Sequence, residues 1–130
     1  MKISVVTVSY NQARFLKQCM RSVLDQDYPN VEYIVIDGGS TDGSREIIEK
    51  YADRLAYWVC EPDEGQTHAI NKGFAKATGD ILCWLNSDDL LEPGALKEVV
   101  SFFENNPDAM IVTGDHLKVD QDGTPVKLHR

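Results

Sequence analysis

Short runs of apolar and β-branched residues alternate along this chain with longer stretches in which apolar residues recur at helical spacing. Three runs, Ile3–Val8, Val31–Ile36 and Ile81–Leu85, have the composition of strands, and a shorter strand is predicted near Ala56–Cys60. Strands that alternate with helices in this way form a mostly parallel sheet through right-handed crossovers. The sequence therefore predicts a Rossmann-like α/β fold with helices on both faces of the sheet. Its 130 residues fit a single domain, residues 1–130.

Capping and turn residues predict where the helices begin and end. Asn11 is expected to cap the first helix, and Ser40 or Thr41 to begin the second. The third helix is expected to run from about Gln66 to Ala77 and to be ended by Thr78-Gly79-Asp80, because glycine is the usual helix terminator. Pro93 is expected near the first turn of a fourth helix, where proline is tolerated.

The C-terminal part of the sequence predicts further strands and no helix. Met110–Thr113 has the composition of a strand, and Asp122-Gly123 has the sequence of a hairpin turn. The last residues, Val126–Arg130, do not have the pattern of a closing helix. We therefore expect a fold that is truncated at its C-terminus, in which the chain stops partway through a larger architecture.

Charge and cysteine content limit the function classes. The formal net charge is −8 and the pI is near 4.7, which argues against nucleic acid or anionic lipid bound through a basic face. Cys19, Cys60 and Cys83 show no C-x-x-C spacing, so we expect reduced thiols in the cytoplasm. We expect no secretory signal and no transmembrane segment. The scattered histidines do not predict a zinc site.

The apolar run Ile81–Leu85 is followed almost at once by two adjacent carboxylates, Asp88 and Asp89. Such a run predicts a strand buried on both faces, and ligands of open α/β sheets lie at the carboxyl ends of the strands. Carboxylates there suit Mg²⁺ or Mn²⁺ sharing its coordination with substrate phosphates, as in a nucleoside diphosphate complex. A polar turn explains the same residues equally well when they are considered alone.

Two further polar loops follow strands and are expected to converge with Asn86–Asp89 on one rim of the sheet. Tyr10 in the first loop offers a ring on which a base can stack, whereas Asn11 is slightly better explained as a helix cap. In the second loop Asp37 offers an acceptor for a base or ribose, and Gly38 allows close backbone approach. A capping turn is the alternative for this second loop.

The loop before the third helix offers backbone N–H groups after Gly65 and Gln66, which suit a phosphate. A simple helix start is at least as good an explanation. Asn71 and Lys72 face either the cleft or solvent. The chain has no P-loop motif and no G-x-G-x-x-G after the first strand, so those two classes of phosphate-binding protein are disfavoured.

Taken in order, these motifs resemble the N-terminal, nucleotide-sugar-binding part of a family 2 glycosyltransferase with the GT-A fold. The matching segments cover nearly the whole chain: Val5–Asn11, Ile36–Gly43, Gly65 with Asn71–Gly73, and Gly79-Asp80 with Leu85–Asp89. The resemblance implies a metal held by Asp89, with Asp88 near the ribose or the metal. The residues expected to bind the donor are Thr7, Ser9, Tyr10, Asn11, Asp37, Gly38, Ser40, Gly65, Asn71 and Asp88.

Two positions depart from the family pattern. Many members carry a second acid where this chain has Gly38, and many begin the metal motif with an acid where this chain has Asn86. These departures affect which base the chain binds and which contacts it makes with the ribose.

The resemblance also implies a reaction. A sugar would pass with inversion from a nucleoside-diphosphate sugar to a hydroxyl of a saccharide or lipid-linked acceptor, with Mn²⁺ or Mg²⁺ neutralising charge on the leaving diphosphate. The general base is expected beyond Arg130, since Asp115 and Asp120 are better explained as strand-end and turn residues. The implied setting is bacterial polysaccharide biosynthesis, in the cytoplasm or at the inner face of the cell membrane.

Two other function classes compete with a glycosyltransferase. A noncatalytic nucleotide-binding or assembly module is the main alternative. A receiver-type phosphoacceptor module needs acids directly after the first strand, where this chain has Ser9-Tyr10-Asn11. A sheet that stops short exposes edge strands and apolar surface, so a homo-oligomer is also expected.

Overall fold

A four-stranded parallel sheet forms the centre of the molecule. The structure is a computed structural model that describes residues 1–110, 116–119 and 125–129. The strands are β1 (Ile3–Ser9), β2 (Val31–Asp37), β3 (Tyr57–Cys60) and β4 (Ile81–Asn86), in the spatial order β3-β2-β1-β4 with every pairing parallel. The predicted α/β class with a parallel sheet is therefore confirmed.

Helices cover both faces of this sheet. They are α1 (Ala13–Leu24), α2 (Ser44–Lys50), α3 (Gln66–Lys76) and α4 (Ala95–Asn105), with a short 3₁₀ turn at Ala52–Arg54. Side chains of α1, α2 and α4 pack with one face of the strands, and α3 packs with the other. Because strand side chains alternate between faces, β1 contributes to both cores. Its residues from Ile3 to Ser9 are all buried.

A separate antiparallel pair joins β5 (His116–Val119) to β6 (Pro125–His129). The expected hairpin turn at Asp122-Gly123 lies between these strands but outside the described residues, as do Asp115 and Asp120. The predicted strand at Met110–Thr113 lies there too, except for Met110, which is not in a strand.

The expectation that β4 is buried on both faces is wrong. Leu82 is 49% exposed and Trp84 is 53% exposed, whereas Ile81, at the start of β4, is buried in the core with side chains of α4. Trp84 pairs with Val6 of β1, on the face that α3 packs against. No helix within the described ranges extends over β4 on that side, so its alternate side chains stay open.

Two predicted helix starts are wrong, because contacts between loops decide them. Asn11 does not cap α1, since its backbone is in the left-handed region at φ 51° and Gln12 occupies the cap position. The second helix begins at Ser44, not at Ser40 or Thr41. The end of α3 at Lys76 agrees with the prediction to within one residue. Gly79 follows it and allows a close approach of the chain, since a Cβ there would lie 2.5 Å from Ser4 Oγ.

Two further expectations concern single features. All three cysteines lie in the described part of the chain and are free, as predicted. No helix among the described residues is long and apolar enough to cross a membrane.

Candidate functional site

The three polar loops meet at the carboxyl edge of the sheet, as the sequence predicts. The strand register sets Ser9 beside Asp37 and Val8 beside Asn86, so the loops after β1, β2 and β4 begin at one level. A cleft of about 580 Å³ opens above them. It is lined by Val8, Ser9, Tyr10, Gln12, Gly38, Pro62, Asp63, Gly65, Gln66, Ala69, Asn86, Ser87 and Asp88. Five of the predicted donor-binding residues therefore share this cleft.

The loop after β1 supplies an exposed ring and a hydroxyl without a partner. Tyr10 is 62% exposed and stands at the cleft wall. Ser9 Oγ is the one buried side-chain polar atom among the described residues that has no hydrogen-bond partner. A buried polar group of this kind costs free energy unless it is paired. A ligand in the cleft would satisfy it.

The Asp37 carboxylate organises the loop after β2 rather than lining the cleft. Asp37 is fully buried. Its oxygens accept hydrogen bonds from the backbone N–H groups of Gly39 (3.0 Å) and Ser40 (2.7 Å), from Ser40 Oγ (2.7 Å) and from the thiol of Cys60 (3.2 Å). Burial raises the pKa of the Cys60 thiol, and the neighbouring Asp37 carboxylate raises it further. A direct contact between the Asp37 side chain and a ligand is therefore not supported by its placement.

The predicted residues Asn11 and Ser40 tie the first two loops together. Asn11 N–H donates to Ser40 Oγ at 2.7 Å, and Asn11 Oδ1 accepts from Thr41 N–H at 3.0 Å. The Asp42 carboxylate accepts hydrogen bonds from the backbone N–H groups of Ala13, the first residue of α1, and Ser44, the first residue of α2. The Ser44 hydroxyl and these N–H groups lower the pKa of Asp42. Asn11 and Ser40 thus hold the cleft wall in shape and do not line it.

Thr7 and Asn71 lie outside the cleft. Thr7 is fully buried, and its hydroxyl shares a 2.7 Å hydrogen bond with the hydroxyl of Tyr33 on the α1 face of the sheet. Asn71 is exposed on α3, more than one turn beyond the helix start. The neighbouring Lys72 pairs with Glu61 at 2.8 Å. Sequence position alone placed these residues near the site, but their side chains do not reach it.

The loop between β3 and α3 contributes more to the cleft than the sequence predicts. Gly65 is at φ 116° and sets the turn into α3, and its N–H donates to Asp63 Oδ1 at 3.0 Å. Gln66 Nε2 donates to Asn86 Oδ1 at 2.6 Å and so connects α3 to the end of β4. Asp63 was not predicted. The same logic that selected the other loops, a polar residue after a parallel strand, would have found it.

The two adjacent carboxylates stand at the edge of this cleft. Ser87 N–H donates to Val8 O at 3.1 Å, and Asp89 N–H donates to Asn86 O at 2.9 Å, which fixes the turn after β4. Asp88 lines the cleft and both carboxylates are solvent-accessible. Burial raises the pKa of Asp89, and the negative charge of Asp88 raises it further.

This pair fits a cation that it shares with a ligand. Carboxylate oxygens are the donors that Mg²⁺ and Mn²⁺ prefer, and a cation would relieve the repulsion between the two charges. The described residues contain no group of three or more His, Cys, Asp or Glu side chains arranged to hold a metal. The remaining coordination positions would therefore come from water and ligand phosphates.

Comparison with known proteins places this architecture. The model of the family described as Glycosyl transferase family 2 matches residues 4–129. The chain belongs to this family. It is 36% identical over 95% of its length to an uncharacterized glycosyltransferase of Nostoc sp.. It is 35% identical, over 95% again, to a Bacillus subtilis protein named as a teichuronic acid biosynthesis glycosyltransferase, TuaG.

Solved structures of similar proteins share the fold. A Staphylococcus aureus TarS structure in complex with UDP-GlcNAc superposes with a TM-score of 0.75 at 28% identity, covering 82% of this chain and 32% of that one. The mannosyltransferase PcManGT of Pyrobaculum calidifontis, in complex with GDP-Man and Mn²⁺, superposes with a TM-score of 0.72 at 29% identity, covering 78% of this chain and 32% of that one. The GT-A type of fold expected from the sequence is thus confirmed. The chain spans 41% of the Nostoc protein and 50% of TuaG.

Proposed function

We propose that this chain is the donor-binding part of a glycosyltransferase that transfers a sugar from a nucleoside-diphosphate sugar to an acceptor hydroxyl with inversion. The single observation that carries the proposal is the cleft at the carboxyl edge of the sheet. It is lined by the exposed Tyr10 ring, the unpartnered Ser9 hydroxyl and the Asp88 carboxylate. An aromatic ring suits the base of a nucleoside, and a carboxylate suits a cation bound to a diphosphate.

The chain's own residues have distinct tasks in this proposal. Tyr10 stacks against the base, as aromatic side chains do with bases in general. The backbone after Gly65, at the start of α3, offers N–H groups to phosphate oxygens. Asp88 lies near the ribose, and Asp89 with Asp88 would hold Mn²⁺ or Mg²⁺. A divalent cation bound there stabilises the negative charge of the departing diphosphate.

The general base belongs to a different part of the protein in this proposal. Inverting transfer needs a group that takes the proton of the acceptor hydroxyl as the hydroxyl attacks the anomeric carbon. The acids that line the cleft are Asp63 and Asp88, and in this proposal both act on the nucleotide-sugar donor. We therefore expect the base, and the site for a saccharide or lipid-linked acceptor, in sequence beyond Arg130, which is consistent with relatives about twice as long.

The cellular setting of the enzyme is proposed from the name of a relative. TuaG is named for teichuronic acid biosynthesis, and we propose a similar role in polysaccharide assembly, at the cytoplasmic side of the cell membrane. The open side chains of Leu82 and Trp84 suggest that the isolated chain self-associates through this face.

Isothermal titration calorimetry tests the proposal. The chain is titrated with UDP, GDP, CDP and ADP, each with and without Mn²⁺, and Asp89→Asn is titrated alongside. We expect at least one diphosphate to bind, with an affinity that falls about tenfold or more without Mn²⁺ or in Asp89→Asn, as loss of a charged contact predicts. Asp53→Asn is the matched control, because Asp53 is an exposed acid that is not among the cleft-lining residues. Absence of binding by all four nucleotides would overturn the proposal.

A further inference from the structure

A carboxylate stands over Gly38 at the wall of the cleft. A Cβ atom added to Gly38 would lie 3.1 Å from Asp63 Oδ2, 3.3 Å from Asp63 Oδ1 and 3.3 Å from Cδ1 of the Tyr10 ring. The Tyr10 ring and the Asp63 carboxylate therefore flank the same small volume. All three residues line the cleft.

Asp63 is available to a ligand in a way that Asp37 is not. The Asp37 carboxylate is buried and receives hydrogen bonds from its own loop and from Cys60. Asp63 is only half-buried, and its Oδ1 accepts one hydrogen bond, from Gly65 N–H. Within residues 1–110, no donor is within hydrogen-bond distance of Asp63 Oδ2. An ionised carboxylate only accepts hydrogen bonds, so this oxygen is available to accept one from a donor on a ligand.

We propose that Asp63 selects the base of the nucleotide by accepting a hydrogen bond from its ring N–H. The inference rests on the proposed function, because it assumes a base stacked on Tyr10. A base in that position has its hydrogen-bonding edge beside the volume that Asp63 borders. Uracil, thymine and guanine carry a ring N–H on this edge. Adenine and cytosine carry a ring nitrogen lone pair there, which a carboxylate repels.

Gly38 contributes to the same proposed base-binding site. A side chain at residue 38 would enter the space between Tyr10 and Asp63 and would require these two side chains to move apart by a few tenths of an ångström. In this chain the carboxylate at the cleft wall therefore comes from residue 63, and glycine at residue 38 keeps the approach to it open.

The test is the base preference of the chain and of Asp63→Asn. Dissociation constants for UDP, GDP, CDP and ADP with Mn²⁺ are measured by calorimetry. We expect the unaltered chain to bind UDP or GDP about tenfold or more tightly than CDP and ADP, since a mispaired charged group costs about that much. In Asp63→Asn this preference should fall about tenfold, because an amide can donate to the ring nitrogen of cytosine or adenine. Glu64→Gln, in the same loop but not lining the cleft, should keep the original preference.

A second measurement does not depend on any variant. A diphosphate of N3-methyluridine lacks the ring N–H and should bind the unaltered chain about tenfold more weakly than UDP, by the same argument. The inference is overturned if the base preference of Asp63→Asn equals that of the unaltered chain, or if the methylated nucleotide binds as tightly as UDP. If no diphosphate binds the unaltered chain at all, the proposed function fails first and this inference fails with it.

Discussion

Replacing Asp37 by Asn distinguishes a carboxylate that shapes the cleft from one that contacts the ligand. The carboxylate accepts hydrogen bonds from Gly39 N–H, Ser40 N–H, Ser40 Oγ and Cys60 Sγ. An Asn side chain keeps one acceptor oxygen for Gly39 N–H, Ser40 N–H and Cys60 Sγ, which all lie on one carboxylate oxygen, and its NH₂ group then faces the Ser40 hydroxyl. That hydroxyl must accept instead of donate, so its own hydrogen loses its acceptor, and all four hydrogen bonds lose the charge of the carboxylate.

The magnitude follows from these contacts. A buried donor without a partner costs about 1–3 kcal/mol, and hydrogen bonds to a charged group are worth about twice those to a neutral one. We expect Asp37→Asn to lower the free energy of unfolding by about 2–4 kcal/mol, and the melting temperature by about 10 °C in a chain of this size. Nucleotide affinity should fall too, because the loop that carries Gly38 loses its anchor.

Urea unfolding followed by circular dichroism measures the effect, with Asp53→Asn as the matched control. Asp53 is exposed, so its replacement should leave the unfolding midpoint unchanged within about 0.5 kcal/mol. A direct ligand contact would instead give weaker nucleotide binding with unchanged stability in Asp37→Asn. That combination would refute our reading of this residue.

Three further predictions concern the fold and the surface of the chain. Gly73→Ala should destabilise the chain by about 1–3 kcal/mol, although alanine favours helix, because the added Cβ would lie 2.3 Å from Val6 Cγ1. Val6→Ala in the same chain should restore stability, and a lack of rescue in urea titrations would contradict this packing. Glu32 is partly buried, which raises its pKa, but hydrogen bonds from Thr78 and neighbouring groups lower that pKa from its usual 4.5 to about 2. Its contribution to stability is therefore present above pH 4.5 and is lost as the pH falls toward 2, so melting temperatures of the unaltered chain and Glu32→Gln should differ at pH 6 and converge near pH 2; a constant difference would count against it. Trp84→Glu should reduce self-association in light scattering at high concentration, and an unaltered chain that is already monomeric there would disprove that association.

The sheet and the position of the cleft were predictable from the sequence because both follow from local patterns. β-Branched runs at Ile3–Val8 and Val31–Ile36 specify strands, alternation with helices specifies parallel pairing, and parallel strands present their carboxyl ends on one edge. The register that sets Ser9 beside Asp37 then follows from the fold. The convergence of three loops needed no further information.

The orientation of individual side chains was not predictable in the same way. Thr7 and Asp37 belong to strands whose ends form the cleft, yet both are buried, because Thr7 meets Tyr33 and Asp37 meets its own loop. A motif fixes a residue's place along the chain but not the partners that approach from elsewhere. Asp63 follows a parallel strand and could have been found by the same logic as the other loops, but its nearness to Gly38 and Tyr10 depends on how distant parts of the chain meet.

The exposed residues of β4 show a further limit of sequence patterns. An apolar run predicts burial on both faces, but burial requires a partner element. Ile81 finds one in the core with Leu96 and Val100, whereas Leu82 and Trp84 lie on the α3 face of the sheet, where α3 packs on β1 and β2 and leaves β4 uncovered. An apolar sequence therefore indicates a tendency to be buried, and the fold determines whether a packing partner is present.

The most direct test of the account is to locate the nucleotide by nuclear magnetic resonance. Backbone amide resonances of the chain are followed as the best-binding diphosphate from the calorimetric panel is added with Mg²⁺. We predict that the largest changes fall at Ser9, Gly38, Gly65 and Asp88, which line the cleft, while Thr78, at the opposite end of the sheet near Lys2, does not change. Changes centred away from the carboxyl edge of the sheet, with these four amides unaffected, would contradict the account.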